Sequence, residues 1–289
     1  KYNIFVIKLK NSLKNMTKNK ISIVTPTFNE EESIEILYEE VKKQMNLLNL
    51  DYEHIIIDNA STDGTESILR KVSEKDKKVK IILNRRNFGP IRSHMHGIFQ
   101  SSGDACIFMA ADFQDPVELI PKYIEQWKNG FKIVLSKKKS SKESFIMKNV
   151  RSFFYKFINK ISEIDLTTNT TGAGLFDREV VDEIKKLKDP YPYFRGLLLE
   201  LGYKYITIDF DQPKRRYGKT STSFLSLYDY AINGVIKHSK LPLRIFTLLG
   251  FILSLISILV AIAFFIFKLL FWYEFELGMA PIIIGIFGF

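Results

Sequence analysis

Ile107-Phe108-Met109-Ala110-Ala111-Asp112-Phe113-Gln114-Asp115-Pro116 decides how the rest of the chain is read. An apolar run of the kind that forms a buried strand stops abruptly at acidic and amide side chains, and a proline closes it. In an open α/β sheet, ligands bind outside the carboxyl ends of the strands. Asp112 and Gln114 therefore stand at the mouth of such a crevice, and both offer oxygen to a hard divalent cation. Taken alone, the same residues also read as a strand followed by a capped helix.

On the N-terminal side of this stretch, strands alternate with helices. Lys20 to Thr27 has the composition of a buried strand, ended by Pro26. Asn29 is expected to cap a helix, with Glu32 completing a capping box. Ile34, Leu37, Tyr38, Val41, Met45 and Leu48 recur at helical spacing on its apolar face. Tyr52 to Asp58 reads as a second strand, Ser61 to Thr65 as an Asp-Gly turn, and a helix follows to Lys75. Val79 to Leu83 is a third strand, and Asn84 to Gly89 is a loop leading through Pro90 into a helix that ends near Ser102. Ala105 to Ala111 is the fourth strand, Pro116 to Lys128 a helix, and Phe131 to Ser136 the fifth strand. This spacing predicts βαβ units and a mostly parallel sheet. Asp58 and Asp112 fall at strand ends on the ligand-binding edge. Each alone is also a turn former or cap; two on one edge favour a site.

Beyond Ser136 the pattern changes. Lys137 to Lys142 is a basic loop. Phe145 to Ile161 reads as an amphipathic helix carrying Lys148, Arg151, Lys156 and Lys160; such a helix either lies on a membrane surface or packs on its own domain with a solvated basic face. Thr167 to Gly174 reads as a small polar loop, Arg178 to Lys186 and Phe194 to Leu201 as helices, and Tyr203 to Asp209 as a strand. A basic loop, Gln212 to Thr220, then leads to a helix over Phe224 to Ser239.

The 289 residues carry a net charge of +10 and are 46% hydrophobic, with the last fifth far more apolar than the rest. A lone cysteine, Cys106, excludes an internal disulfide and fits a reducing compartment. Ile245 to Phe267 holds no charged residue; at ~1.5 Å per residue it reaches ~35 Å, enough to cross a hydrocarbon core of ~30 Å. Lys237, Lys240 and Arg244 precede it and Glu274 and Glu276 follow, so the positive-inside rule puts the larger N-terminal part in the cytoplasm. Leu277 to Phe289 reads as the start of a returning second helix, which makes the expected protein multi-pass. The divisions expected are an extension outside the fold (1–19), a catalytic domain (20–222), a juxtamembrane helix (223–242) and a transmembrane region (243–289). The basic residues crowd the segments that would meet an anionic leaflet. No basic stripe is interleaved with base-stacking aromatics, so nucleic acid is not an expected partner.

Five stretches in this order resemble the inverting family-2 glycosyltransferases of GT-A fold, and within them the polyprenyl-phosphate glycosyltransferases. They are IVTPTFNEEESI (Ile23 to Ile34), IIIDNASTDGT (Ile55 to Thr65), NRRNFG (Asn84 to Gly89), AADFQDP (Ala110 to Pro116) and KRRYGKTS (Lys214 to Ser221), followed by the membrane segment. The resemblance implies an α/β GT-A nucleotide-sugar-binding domain with C-terminal transmembrane helices. It implies nucleotide-sugar binding by Pro26, Asn29, Glu30, Asp58, Ser61, Asp63, Asn87, Gly89 and Asp112, with Asp58 on the base. It implies Mg2+ or Mn2+ on Asp112 and Gln114, and catalytic roles for Asp112, Gln114, Arg215 and Arg216. Arg215, Arg216 and Lys219 are candidates for the lipid phosphate or the leaving diphosphate; nonspecific contact with lipid headgroups is the other reading of these cations.

The chain also departs from the family pattern. The usual Asp-Asp-Gly-Ser reads Asp58-Asn59-Ala60-Ser61, and Asp-Ala-Asp-Leu-Gln-Asp reads Ala110-Ala111-Asp112-Phe113-Gln114-Asp115, so its first acidic residue is missing. A loop often containing Gly-Asp-Phe-Arg reads Thr171-Gly172-Ala173-Gly174, without the acidic residue sometimes proposed as a base. The expected partners are a nucleotide sugar, a polyprenyl phosphate and the membrane, with self-association left open. The expected setting is the cytoplasmic (inner) membrane and the expected role is cell-envelope glycan synthesis. A processive polysaccharide synthase and a degenerate, non-catalytic membrane subunit are the competing readings. The first should carry a Gln-x-x-Arg-Trp-type acceptor motif, which is absent. The second is motivated by Ala110 and the altered 171–174 segment.

Overall fold

The computed structural model describes residues 19–139, 149, 170–213, 215–216 and 224–271. Residues 1–18 of the expected 1–19 extension, the helix over Phe145 to Ile161 apart from Asn149, Lys219 and the segment Leu277 to Phe289 lie outside the described residues. The chain divides after His238 into two compact units.

The first unit is built on seven strands: β1 (Lys20–Thr27), β2 (Asp51–Asp58), β3 (Val79–Leu83), β4 (Ala105–Phe108), β5 (Ile133–Lys138), β6 (Thr170–Asp177) and β7 (Tyr205–Phe210). Their spatial order is β3-β2-β1-β4-β6-β5-β7. All pairings are parallel except those of β6, which runs antiparallel to β4 and to β5. The helices are α1 (Ile34–Leu48), α2 (Thr65–Lys75), α3 (Pro90–Gln100), α4 (Ile120–Lys128), α5 (Arg178–Leu187), α6 (Phe194–Glu200) and α7 (Phe224–His238).

Period-2 alternation along the strands divides the core between the two faces. Ile21 and Ile23 of β1, Ile107 of β4 and Leu175 of β6 pack with α1, α2 and α4. Val24, Cys106 and Phe176, each one residue out of step, pack on the other face with α3, α5 and α6. The buried face of α1 consists of the six apolar residues read from its spacing plus Gln44. Each such fully buried Ile or Leu is worth about 1.5–3 kcal/mol of transfer free energy.

Three expectations are corrected here. The segment read as a loop over Thr167 to Gly174 is, from Thr170 on, the central antiparallel strand β6. Its threonines and glycines gave no apolar alternation, and it is held by neighbours on both sides. Gly174 is needed there: a Cβ would meet the Val134 carbonyl oxygen at 2.0 Å, so β5 and β6 approach more closely than any side chain permits. Asn29 does not cap α1. The helix begins four residues later, after Ser33 and with no side-chain cap, because Asn29 sits at φ 55° and turns its amide oxygen to the Thr62 N–H at 2.8 Å. The fourth strand ends at Phe108, three residues early. Met109 still donates to Val24 O at 3.1 Å, after which the chain leaves the sheet.

The second unit contains α8 (Leu241–Leu270), 30 residues long. At ~1.5 Å per residue it reaches ~45 Å. Among the described residues it is the one helix long and apolar enough to cross a membrane, and its apolar side chains are not covered by protein. The multi-pass expectation rests on Leu277 to Phe289, outside the described residues.

Candidate active site

The sheet order reverses between β1 and β4: β2 and β3 lie to one side of β1, whereas β4 and its neighbours lie to the other. Such a switch point leaves a crevice at the carboxyl ends of the flanking strands. Thr27 to Glu30 leave β1 on one side, and Asp112 to Gln114 follow β4 on the other. Asp58 ends β2 next to β1, paired in register with Thr27. Because β6 is antiparallel, its first residues, Thr170 and Thr171, arrive at this same edge. The residues after β7 arrive there as well.

On the β2 side, buried Asp58 accepts from the Ser61 N–H at 3.1 Å and from its hydroxyl. Asn59, the amide in the family's second acidic position, organises the next loop. Its Nδ2 donates to Asn87 Oδ1 at 2.7 Å, and its Oδ1 accepts from Asn84 Nδ2 at 3.1 Å and Phe88 N at 3.0 Å. Asn87 in turn accepts from Gly89 N at 2.8 Å. A carboxylate at position 59 could accept the Asn84 and Phe88 N–H groups but could not donate to Asn87, so the departure from the family pattern is matched by an amide network. Ser61 and Asp63 tie the loop after β2 to the loop after β1. Ser61 Oγ accepts from Asn29 N at 2.9 Å, and Asp63 accepts from Glu31 N at 3.2 Å and from Thr65. Burial pushes the Asp63 carboxyl up, but the hydrogen bonds from Thr65 and Glu31 prevail and hold it below its ordinary range.

On the β4 side, Phe113 occupies the left-handed region at φ 58°. This turns the chain so that Asp112 Oδ1 accepts from the Gln114 N–H at 3.1 Å, an Asx turn that brings both side chains to one rim. Neither is fully buried. Among the described residues no group of three His, Cys, Asp or Glu side chains is placed to hold a metal. One carboxylate and one amide oxygen suit a cation such as Mg2+, which takes few protein ligands and completes its shell with phosphates and water. The missing acidic residue at Ala110 is thus compatible with a metal shared with a diphosphate.

Glu30 lies between the two sides. It is buried, accepts from Ser33 Oγ at 2.7 Å, and pairs with Arg215. Burial raises its pKa above the ordinary value; Ser33 and Arg215 oppose this, while the charges of Asp112 and Asp63 add to it. Of the basic residues singled out in the sequence, Arg215 therefore reaches the rim. Arg216 stacks its guanidinium 4.9 Å over the Phe113 ring and lies 3.6 Å from Glu40. Pro26 is the penultimate residue of β1.

The sequence did not single out three neighbours. Asp115 is buried beneath the Asp112–Gln114 turn and accepts from Thr171 Oγ1 at 2.9 Å. Burial, reinforced by the charge of Asp112, pushes its pKa up to about 6. Arg195 of α6 donates to Thr171 O at 3.1 Å, and its charge is felt at Asp115. His94 of α3 hydrogen-bonds Pro90 O through Nδ1 at 2.9 Å and stacks 4.8 Å from Phe108; burial lowers its pKa to about 4, so it is neutral. Their common signal, a polar residue inside an apolar period, is weak without the sheet order.

A mostly parallel mixed sheet, its switch point flanked by acidic and amide side chains, is the architecture of the GT-A glycosyltransferases. Residues 22–185 match the profile of glycosyl transferase family 2. A prophage bactoprenol glucosyl transferase homolog of Escherichia coli (strain K12) is 34% identical over 239 residues, covering 82% of this chain and 78% of the relative. The bactoprenol glucosyl transferase of Shigella phage SfV is 34% identical over 241 residues, covering 83% of this chain and 78% of that protein. Among solved structures, glucosyl-3-phosphoglycerate synthase from Mycobacterium tuberculosis, in complex with Mn2+, UDP and phosphoglyceric acid, shares the fold with a TM-score of 0.52 at 17% identity, covering 80% of each chain. The chain belongs to glycosyl transferase family 2 and is a glycosyltransferase.

Proposed function

We propose that the protein transfers a sugar from a nucleotide-diphosphate sugar, a UDP-sugar in the first instance, to a polyprenyl phosphate at the cytoplasmic face of the membrane, for cell-envelope glycan synthesis. The observation that carries this reading is the joining in one chain of two features. Asp58, Asp112 and Gln114 share one edge of a switch-point crevice, and a 30-residue apolar helix follows in the same chain. The relatives named for bactoprenol support the acceptor class, and the neighbour holding UDP and Mn2+ supports the donor class and the cation.

The acceptor explains why the 171–174 segment has no carboxylate. A phosphate monoester loses its second proton near pH ~6, so at pH 7 it is already a nucleophile and needs no general base. What it needs is alignment and charge neutralisation. In the reaction an acceptor phosphate oxygen bonds to the anomeric carbon from the face opposite the diphosphate. The bond from that carbon to the diphosphate oxygen breaks, the nucleoside diphosphate leaves with the electron pair, and the configuration inverts. Asp58 accepts from the base. Asp112 and Gln114 would hold Mg2+ or Mn2+, which offsets the charge of the diphosphate when bound. Arg215, Arg216 and Lys219 steady the phosphates. The test is incubation of the purified chain in detergent with polyprenyl phosphate and labelled nucleotide sugars. Metal-dependent label in the lipid is the expected result, and none with any common donor would refute the proposal.

A further inference from the structure

The residues that follow β7 make three separate contacts with the candidate site. Gln212 Nε2 donates to Gln114 Oε1 at 3.2 Å. Arg215 donates to Glu30 Oε1 across 185 positions of sequence. Arg216 covers the Phe113 ring at 4.9 Å. One short segment thus touches both walls of the crevice, the loop after β1 and the turn after β4. The pair it forms there is largely withdrawn from solvent: side-chain exposure is 22% for Arg215 and 8% for Glu30. A bond of this kind ties the segment to the loop after β1, and it engages the same guanidinium that a diphosphate would attract. Gln212 likewise engages the amide oxygen that a cation would use.

We infer that Glu30 is a positioning residue that acts through Arg215: it holds the guanidinium at the rim, and a donor diphosphate competes with it for Arg215, so Glu30 sets donor affinity without touching the reacting atoms. This rests on the proposed reading of the crevice as the diphosphate site. It departs from the expectation, drawn from the family resemblance, that Glu30 contacts the nucleotide itself. The assignment has a physical basis in competition. A carboxylate and a diphosphate seek the same planar N–H fork, and binding to one is measured against release from the other. Ser33 keeps Glu30 in place whichever partner Arg215 holds, because it binds the other carboxylate oxygen.

The test uses the full chain in detergent, with UDP and Mn2+ as the probe, read by calorimetry. Glu30→Gln keeps the shape and the Ser33 contact but removes the charge. It should tighten UDP binding about fivefold, equivalent to ~1 kcal/mol of relieved competition, and leave uridine binding unchanged. Arg215→Gln should weaken UDP, and adding Glu30→Gln to it should then give no gain. In the nucleotide-free enzyme, Gln212→Ala and Glu30→Gln should each speed tryptic cleavage after Arg215. Weaker or unchanged UDP binding in Glu30→Gln overturns the inference while leaving the donor site standing. So does a gain that persists without Arg215, or a loss of uridine binding. If the wild-type chain binds neither UDP nor any other nucleoside diphosphate, the donor-site reading fails and the inference with it. Cleavage that does not respond to Gln212→Ala counts against the inference even if Glu30→Gln does not fold.

Discussion

The two edges of the sheet each bury a glutamate, and the two are treated in opposite ways. At the amino edge, Glu53 of β2 accepts from Lys20 at 3.1 Å, Lys80 at 2.6 Å, Ser22 Oγ at 2.6 Å, and both the N–H and the hydroxyl of Ser102 at 2.7 and 2.8 Å. Burial pushes its pKa up, but this ring of donors outweighs it and holds the carboxyl far below its ordinary range. At the carboxyl edge, Glu30 has one cation and one hydroxyl, faces the charges of Asp112 and Asp63, and has a raised pKa. The first arrangement neutralises a charge completely and ties β1, β2, β3 and the turn before β4 together. The second leaves a carboxylate with fewer donors at the rim of the candidate site. A saturated carboxylate acts as a staple, whereas an under-saturated one at a strand-end crevice is a candidate site group.

The largest expected effect that separates the two edges is on catalysis. Asp112→Ala should lower transfer by ~10³-fold or more, the scale of a lost transition-state charge contact, with little change in melting temperature. Glu53→Ala should do the reverse. Removing the buried acceptor strands its donors and should cost about 3 kcal/mol of stability, while nucleotide affinity of the folded protein is kept. Urea melts paired with UDP titrations check both, and a stability loss in Asp112→Ala as large as that in Glu53→Ala would erase the contrast.

The pH dependence has opposite signs at the two edges. The Glu53 pKa is depressed on folding, so its stabilisation is present above the unfolded value near ~4.3 and is lost as the pH falls below it toward the folded pKa. Glu30 and Asp115 are raised on folding. Their contribution is full below the unfolded carboxyl range and is lost as pH rises through the folded value, which for Asp115 is about 6. Asp115→Asn should therefore stabilise the protein above pH ~6, by about 1–3 kcal/mol, and leave it unchanged in acid. Thermal melts across pH check the sign; destabilisation at pH 8 would show that the charged form is the one the fold needs. The smallest effect belongs to neither edge: Arg70→Ala breaks an exposed pair with Glu66 on α2 at 2.7 Å and should cost no more than about 0.5 kcal/mol.

How much of this was legible in the sequence follows from the range of the forces involved. The alternating strands and helices as far as β5, the apolar face of α1 and the apolar stretch of α8 are written in local periodicity, and the periodicity matches the structure within a few residues. The placement of Asp58, Asp112 and Gln114 at one edge of the sheet is legible because a polar residue following an apolar strand is a local signal, and their roles stay with the proposed function. What escaped depends on contacts between distant residues. The sequence of β6 reads as a loop because its identity as a strand comes from β4 and β5 rather than from its own composition. Asn29 has the chemistry of a helix cap, but a loop 33 residues away claims its side chain. Glu53 was invisible as a staple for the same reason, its donors being spread over β1, β3 and the turn at Ser102. Lys219 and the second apolar segment fall outside the described residues, so those readings stay as proposals.

Transfer of a sugar to a polyprenyl phosphate, proposed above for a chain that carries both this under-saturated edge and the apolar helix α8, is tested most directly by lipid product analysis. The full chain in detergent is incubated with undecaprenyl phosphate, a panel of nucleotide sugars and Mg2+ or Mn2+, and the lipid is read by mass spectrometry. The account predicts a polyprenyl phosphate heavier by one sugar residue with at least one donor, present with wild type and absent with Asp112→Ala. Unmodified polyprenyl phosphate with every donor, from a chain that binds those donors, would contradict it.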